Sequence, residues 1–389
     1  MRKSLFFVCL TVISFATLAQ FPVGHSQITY QDPARSNRNI QTEIYYPGVT
    51  SGDNVAVASG QFPIIVFGHG FVMDWDSYDN IWNALVPLGY IMAFPTTEGG
   101  FSPDHDAFGK DIVFLINKLK SENTNSASPF YQKITNRSGA MGHSMGGGSS
   151  FLACAGNTIP DAMITFAAAV TTPSSVTAAA TVTIPTLVIS GSEDCTAPPA
   201  SHQVLMYNAL ASPCKVYISI NGGCHCYFAN YNLYCTLGES FCLPVPPLSR
   251  AEQQTTTMNF VKPYLDFFLK GNTASWYSFV DSLGLSSNIT YINNCPINPT
   301  VMNELSQQTI FGIYPNPAND ILNVSLPGEI KDVTVQITDL SGRILFSKEI
   351  QCSHGTHTNV VIRELKPGMY IATMKQGTAT LQTRRFIKE

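Results

Sequence analysis

The sequence predicts an α/β fold: a mostly parallel sheet with helices on both faces, followed by a small C-terminal all-β sandwich. Three observations carry this. Short continuous apolar runs recur in the first two thirds of the chain: PIIVF (63–67), YIMAF (90–94), MITFAA (163–168), TLVISG (186–191) and KVYISI (215–220). Strands buried on both faces read this way. Segments of helical period lie between those runs. From Phe311 the pattern changes to short alternating runs (ILNVSL, VTVQITDL, NVVIREL, MYIATM) punctuated by Pro, Gly, Asp and Asn, the signature of a sandwich.

The elements follow in chain order. Residues 1–19 read as a secretory signal, with basic Arg2 and Lys3, an apolar run from Leu5 to Ala16, and small Thr17 and Ala19 before a cleavage. A main domain is expected over 20–270. Its first strand, PIIVF, ends at Gly68-His69-Gly70, and helical spacing covers 77–87. YIMAF is a second strand, stopped by Pro95. Ala107 to Lys120 places Ile112, Phe114, Leu115, Ile116 and Leu119 at helical positions. SGAMG (138–142) is a small-residue strand. Met145 to Cys154 is a helix that can pack tightly through Gly146, Gly147 and Gly148. Ser201 to Ala211 is helical, and Arg250 to Lys270 is a long terminal helix expected to break at Pro263. A linker over 271–308 then leads to the sandwich at 309–389.

Composition excludes several classes. Among 389 residues only 12% are charged, against about 25% in a typical domain. The net charge of −4 offers no basic face for nucleic acid, and 11% aromatic residues argue against disorder. After the signal no apolar run reaches the roughly 18 residues of a transmembrane anchor.

The chemistry lies at strand ends. Gly142-His143-Ser144-Met145-Gly146 matches G-x-S-x-G, the strained strand-to-helix turn that lifts a serine above a sheet. A serine nucleophile needs a base, and the base an orienter. With the order Ser, acid, His, His225 follows KVYISI directly in Asn221-Gly222-Gly223-Cys224-His225-Cys226, while His202 falls inside a helix and reads as a surface residue. Asp194 follows TLVISG and precedes a turn, Cys195-Thr196-Ala197-Pro198, that aims it inward; Glu193 is the runner-up, and Asp161 precedes its strand. Two backbone N–H groups must face the developing oxyanion. Met145 supplies one, and Phe71, after Gly68-His69-Gly70, the other by position. His69 and His143 read as packing and hydrogen-bonding residues of these turns. The expected site is therefore Ser144, Asp194 and His225 with the Phe71 and Met145 amides, and no cofactor or metal.

Two resemblances sharpen this. Gly142-His143-Ser144-Met145-Gly146-Gly147-Gly148, Ile184-Pro185-Thr186-Leu187-Val188, Ser192-Glu193-Asp194…Ala197-Pro198 and Ile220-Asn221-Gly222-Gly223-Cys224-His225 resemble the dienelactone-hydrolase branch of the α/β-hydrolases. That branch includes the cutinase-like polyester hydrolases and platelet-activating-factor acetylhydrolases, and Asp32-Pro33-Ala34-Arg35…Tyr45-Tyr46-Pro47 resembles the latter. The resemblance spans about 25–270 and implies carboxylic ester hydrolysis, with polymeric, lipase-like and chlorophyllase-like substrates open. One departure concerns the tryptophan that clamps an aromatic ring in polyester hydrolases. Residues 167–173 here read AAAVTTP, with no aromatic. Tyr314-Pro315-Asn316-Pro317-Ala318, Asp339-Leu340-Ser341-Gly342-Arg343, Leu365-Lys366-Pro367-Gly368-Met369-Tyr370 and the basic Arg384-Arg385-Phe386-Ile387-Lys388 tail resemble the type A C-terminal sorting domain of type IX secretion. This implies a Bacteroidetes-type cell, the type IX machinery as partner, and a secreted or cell-surface location.

Of ten cysteines, Cys195, Cys214, Cys224, Cys226, Cys235 and Cys242 cluster around the acid and histidine segments. An exported chain pairs them as disulfides, in any of 15 connectivities for six. Cys224 and Cys226 sit too close to bond each other, so each is expected to reach elsewhere. Cys154 reads as buried, and loss of Cys9 with the signal leaves an odd number. Cys224, His225 and Cys226 as a zinc site is the competing reading. The expected function is a secreted serine ester hydrolase acting through an acyl-enzyme; a peptidase on the same fold and a non-catalytic adhesin are the rivals.

Overall fold

The computed structural model describes residues 20–242, 247–295, 312–325, 333–339, 343–350, 357–376 and 379–389. The expected signal 1–19, residues 296–308 of the expected linker, and Cys352 lie outside them. The chain divides into two compact units, 1–297 and 298–389.

The first unit opens with β1 (Val23–Asp32), β2 (Arg38–Pro47) and the short β3 (Gly52–Asp53). Then come β4 (Phe62–Gly68), β5 (Ile91–Pro95), β6 (Ile134–His143), β7 (Ala162–Phe166), β8 (Thr186–Gly191), β9 (Lys215–Ile220) and β10 (Ile289–Asn293). They form one sheet in the order β10-β9-β8-β7-β6-β4-β5-β2-β1-β3. From β5 through β9 every pairing is parallel, while β1, β2 and β10 pair antiparallel at the two sides. Strand alternation splits the core in two. In β4, Ile65 and Phe67 face α1 (Asp79–Leu85), α7 (Arg250–Lys270) and α8 (Thr273–Leu285). Ile64 and Val66 face α2 (His105–Glu122), α3 (Met145–Cys154), α4 (Ser175–Ala179) and α5 (Gln203–Ala209). The expected α/β architecture is thus observed, with helices on both faces.

Two expectations differ from the structure. The helix over 250–270 runs unbroken through Pro263. Proline removes the hydrogen bond to the carbonyl four residues earlier. That carbonyl belongs to Asn259, an exposed residue that water reaches, while Phe260, Val261, Tyr264 and Leu265 around it are buried and hold the helix on the sheet. The expected linker also begins too early. Residues 273–285 form α8, whose Trp276, Phe279 and Leu283 are buried, and β10 pairs with β9 at the end of the sheet.

The second unit pairs its strands antiparallel throughout. One sheet holds β11 (Gly312–Tyr314), β12 (Ile321–Ser325) and β15 (His357–Val361). The other holds β14 (Ile344–Ile350), β13 (Val333–Thr338), β16 (Gly368–Gln376) and β17 (Ala379–Lys388). Leu322, Val324 and Val360 from the first meet Val335, Ile337, Ala372 and Met374 from the second in one core, the sandwich its alternating pattern predicts.

Candidate active site

The turn from β6 into α3 places Ser144 at φ 53°, ψ −117°, a backbone state that costs a non-glycine residue on the order of 1–3 kcal/mol. The surroundings hold it there. Ser144 N–H donates to the Phe166 carbonyl at 2.9 Å, and its own carbonyl accepts from Gly148 and Ala169. The flanking glycines are required by contact: a Cβ on Gly142 would strike the Gly146 carbonyl, and one on Gly146 would strike the Gly68 carbonyl at the end of β4. That contact seats the serine turn against the turn that carries Phe71. Met145 N–H opens α3, where amides have no intrahelical acceptor and the helix dipole is positive.

Three side chains from three strand ends meet above the sheet. His225 Nε2 lies 2.9 Å from Ser144 Oγ, and His225 Nδ1 lies 2.7 Å from Asp194 Oδ2. All three residues are buried. The other Asp194 oxygen accepts from Ala197 N–H at 2.7 Å, inside the turn after β8, so neither oxygen is free to rotate away. Glu193 is exposed and accepts from Ser192 Oγ instead. His202 is half-buried, and its Nδ1 accepts from Val170 N–H at 2.9 Å. Val170 itself lies exposed in the 167–173 segment that lacks an aromatic.

The backbone around His225 is gripped by side chains that sequence reading missed. Gln253, buried on α7, accepts from Cys224 N–H at 2.9 Å and donates to its carbonyl at 2.8 Å. Glu239 accepts from Cys226 N–H, and Arg250 donates to the Cys226 and Ala229 carbonyls. His143 Nε2 faces the His225 carbonyl at 3.0 Å. Burial, and secondarily the neighbouring His225, push His143 well below the usual histidine range. It is therefore neutral, with its one proton on Nε2 to serve that carbonyl. Its Nδ1 then accepts from the Tyr78 hydroxyl at 3.0 Å, and the same hydroxyl accepts from Gly70 N–H at 2.8 Å. The chain Gly70–Tyr78–His143–His225 thus ties the Phe71 turn to the histidine turn. His69 sets its two ring nitrogens 2.9 Å from the Gly70 and Thr97 carbonyls, and as a neutral imidazole it donates to one of them.

Cysteines brace the same region. Cys195 bonds Cys242, Cys226 bonds Cys235, and Cys214 bonds Cys295. Of the six clustered cysteines, Cys224 stays a buried thiol, as does Cys154, and Cys295 enters the pairing from outside the cluster. Burial, together with Glu239, pushes the Cys224 thiol up, so it is protonated. The competing zinc reading fails on its donors: Cys226 is committed to a disulfide, and both His225 nitrogens are engaged.

A hydroxyl, imidazole and carboxylate joined in this order can deprotonate the serine as it attacks a carbonyl. The family described as "Secretion system C-terminal sorting domain" matches residues 312–389, which marks the chain for type IX export and a secreted or surface location. Among the described residues no helix is long and apolar enough to cross a membrane. A bis(hydroxyethyl) terephthalate hydrolase of Streptomyces coelicolor is 28% identical over 184 residues, 47% of this chain and 54% of that protein. The match therefore spans about half the length of that curated relative. The family described as "PETase: PET hydrolase-like" matches residues 19–241, more than half of the 389, and the chain belongs to it.

Proposed function

We propose that the first unit is a serine hydrolase of carboxylic esters that works through an acyl-enzyme. The observation that carries this is the unbroken series Ser144 Oγ, His225 Nε2, His225 Nδ1 and Asp194 Oδ2, at 2.9 and 2.7 Å. Ser144 Oγ attacks the ester carbonyl while His225 Nε2 takes its proton. Asp194 holds the Nδ1 proton and stabilises the imidazolium that forms. The tetrahedral oxyanion is met by the Met145 and Phe71 amides. As the tetrahedral intermediate collapses, His225 returns the proton to the departing alcohol oxygen. Water enters, gives a proton to His225 and attacks the acyl carbon; the acid leaves as Ser144 regains its proton.

The family and the named activity of the Streptomyces relative support esters of aromatic diacids as substrates, small or polymeric. Phe71, exposed beside the serine turn, offers such a ring a flat neighbour. Ser144→Ala should lower kcat on a short-chain nitrophenyl ester by at least about 10³-fold and abolish labelling by a fluorophosphonate. Retained turnover in that variant would overturn the assignment.

A further inference from the structure

Gln203 opens α5 and is fully buried. Its Nε2 donates to two backbone carbonyls at once, Ala168 at 2.7 Å and Ala197 at 3.1 Å. Both neighbours are acceptors, so the amide nitrogen must face them and the group cannot be turned over. Its Oε1 is buried with no donor among the described residues. An orphaned buried oxygen costs stability that an apolar side chain of the same length would not. Stability alone therefore does not account for a glutamine at this place; its two hydrogen bonds serve geometry.

The two carbonyls belong to unlike pieces of chain. Ala168 is part of a rigid frame around the nucleophile. The chain leaves β7 through Ala167, held in the left-handed region at φ 43°, and Ala167 N–H donates to the Ile189 carbonyl of β8 at 2.8 Å. The next two residues are wedged against α3: a Cβ on Gly147 would press on Ala168, and one on Gly148 would strike the Ala169 carbonyl. Ala169 N–H donates to the Ser144 carbonyl at 2.9 Å. Ala197 lies instead in the turn after β8, where Cys195, Thr196 and Pro198 are exposed and Ala197 is buried. Its N–H donates to Asp194 Oδ1 at 2.7 Å. One side-chain amide thus joins the backbone frame of the serine to the residue that grips the acid.

We propose that Gln203 is a positioning residue for the reaction: it references Asp194, and through it the His225 ring, to the frame that holds Ser144. The proposal rests on the ester-hydrolase reading. Asp194 Oδ2 lies 2.7 Å from His225 Nδ1, and the rotation of that carboxylate is set by the Ala197 N–H on its other oxygen. Gln203 in turn sets the Ala197 backbone. Were this turn to drift, the carboxylate would swing and carry the imidazole off the Ser144 hydroxyl. Displacement of that kind is costly even when no reacting group is lost.

Gln203→Met in the full chain keeps the length of the side chain and removes both donors. On a short-chain nitrophenyl ester its kcat should fall about 10-fold or more, with KM within about twofold. Action through Asp194 has a signature that general loosening lacks: in the Asp194→Ala background the same substitution should lower the residual kcat by less than about twofold. Gln203→Glu gives a second measurement should the Met variant fold poorly. A buried carboxyl facing two carbonyls holds its proton more tightly than usual, and only the protonated form can donate to one of them. Its kcat relative to the unaltered chain should therefore recover as the pH falls from about 8 to about 6. That ratio cancels the titration of Asp194, His202 and His225, which both chains share. An equal loss for Gln203→Met in both backgrounds, a rise in KM alone, or a Gln203→Glu ratio flat with pH would overturn the proposal. Ser144→Ala, assayed alongside, separates the two levels. Turnover that survives it sinks the ester-hydrolase reading itself, whereas Ser144-dependent turnover indifferent to Gln203 sinks only the positioning role.

Discussion

Ser144, Asp194 and His225 come from turns 50 and 31 residues apart in sequence, as their numbers show. Asp194 and His225 were legible because a strand of continuous apolar residues ends a few residues before each, and Ser144 because Gly142 and Gly146 flank it between a small-residue strand and a helix; all three thus fall at the carboxyl ends of the strands. Gln253, Arg250 and Tyr78 were not legible, because their contacts with the histidine turn and the Phe71 turn exist only once α7 and the segment leading into α1 have docked. One signal was present. Gln253 interrupts the inward stripe of α7 that continues through Thr257, Phe260, Val261 and Tyr264. A polar side chain on a buried stripe needs partners, and here those partners are the two backbone groups of Cys224. Gln253→Ala leaves both unsatisfied, at a cost of about 1–3 kcal/mol each. On the proposed mechanism we expect kcat on a soluble ester to drop by about 10-fold or more with little change in KM, since His225 shifts while the Ser144 and Phe71 turns do not. Gln253→Glu, which keeps the acceptor for Cys224 N–H and loses the donor to its carbonyl, should be intermediate. Steady-state kinetics of the pair checks this, and a rise in KM alone would contradict it.

Among the elements, β8 and β9 coincide with the runs TLVISG and KVYISI, since fully buried strands write themselves as unbroken apolar segments. The edge strand β10 does not, because only Ile289 of its five residues is buried. The helix α8 was within reach: Trp276, Phe279 and Leu283 have helical spacing, yet the Asn- and Ser-rich neighbourhood read as linker. The helix α6 (Leu233–Glu239) buries none of its residues and is the least legible, because its stability comes from the Cys226–Cys235 and Cys195–Cys242 cross-links and the Asn232 cap rather than from an amphipathic pattern. Its dependence on those cross-links is measurable. Removing the Cys195–Cys242 bond, which spans 47 residues, as Cys195→Ser with Cys242→Ser should cost about 2–4 kcal/mol. Thermal melting reports the loss, and limited proteolysis should open first within 230–242. Cleavage elsewhere in the first unit would contradict the anchoring role.

Over the whole molecule, the low charge noted in the sequence coexists with buried histidines held neutral. His69, His143 and His202 all lie below the ordinary value of 6.5, with burial the largest cause in each. Below 6.5 the unfolded chain binds protons that the folded chain refuses. Stability therefore rises with pH through that window and is complete above it. One such histidine can contribute a slope of at most about 1.4 kcal/mol per pH unit. Thermal melts should show a lower Tm at pH 5 than at pH 7.5, and the reverse order would contradict this. The three disulfides carry a different consequence. Among the described residues every cross-link lies between Cys195 and Cys295, and the large sheet is complete at Asn293. A cut after Cys295 would sever none of these three bridges and strip no strand from that sheet. Every bridge described in the first unit closes within it, so an export step that trims away the sorting domain would leave that unit's cross-links and large sheet whole.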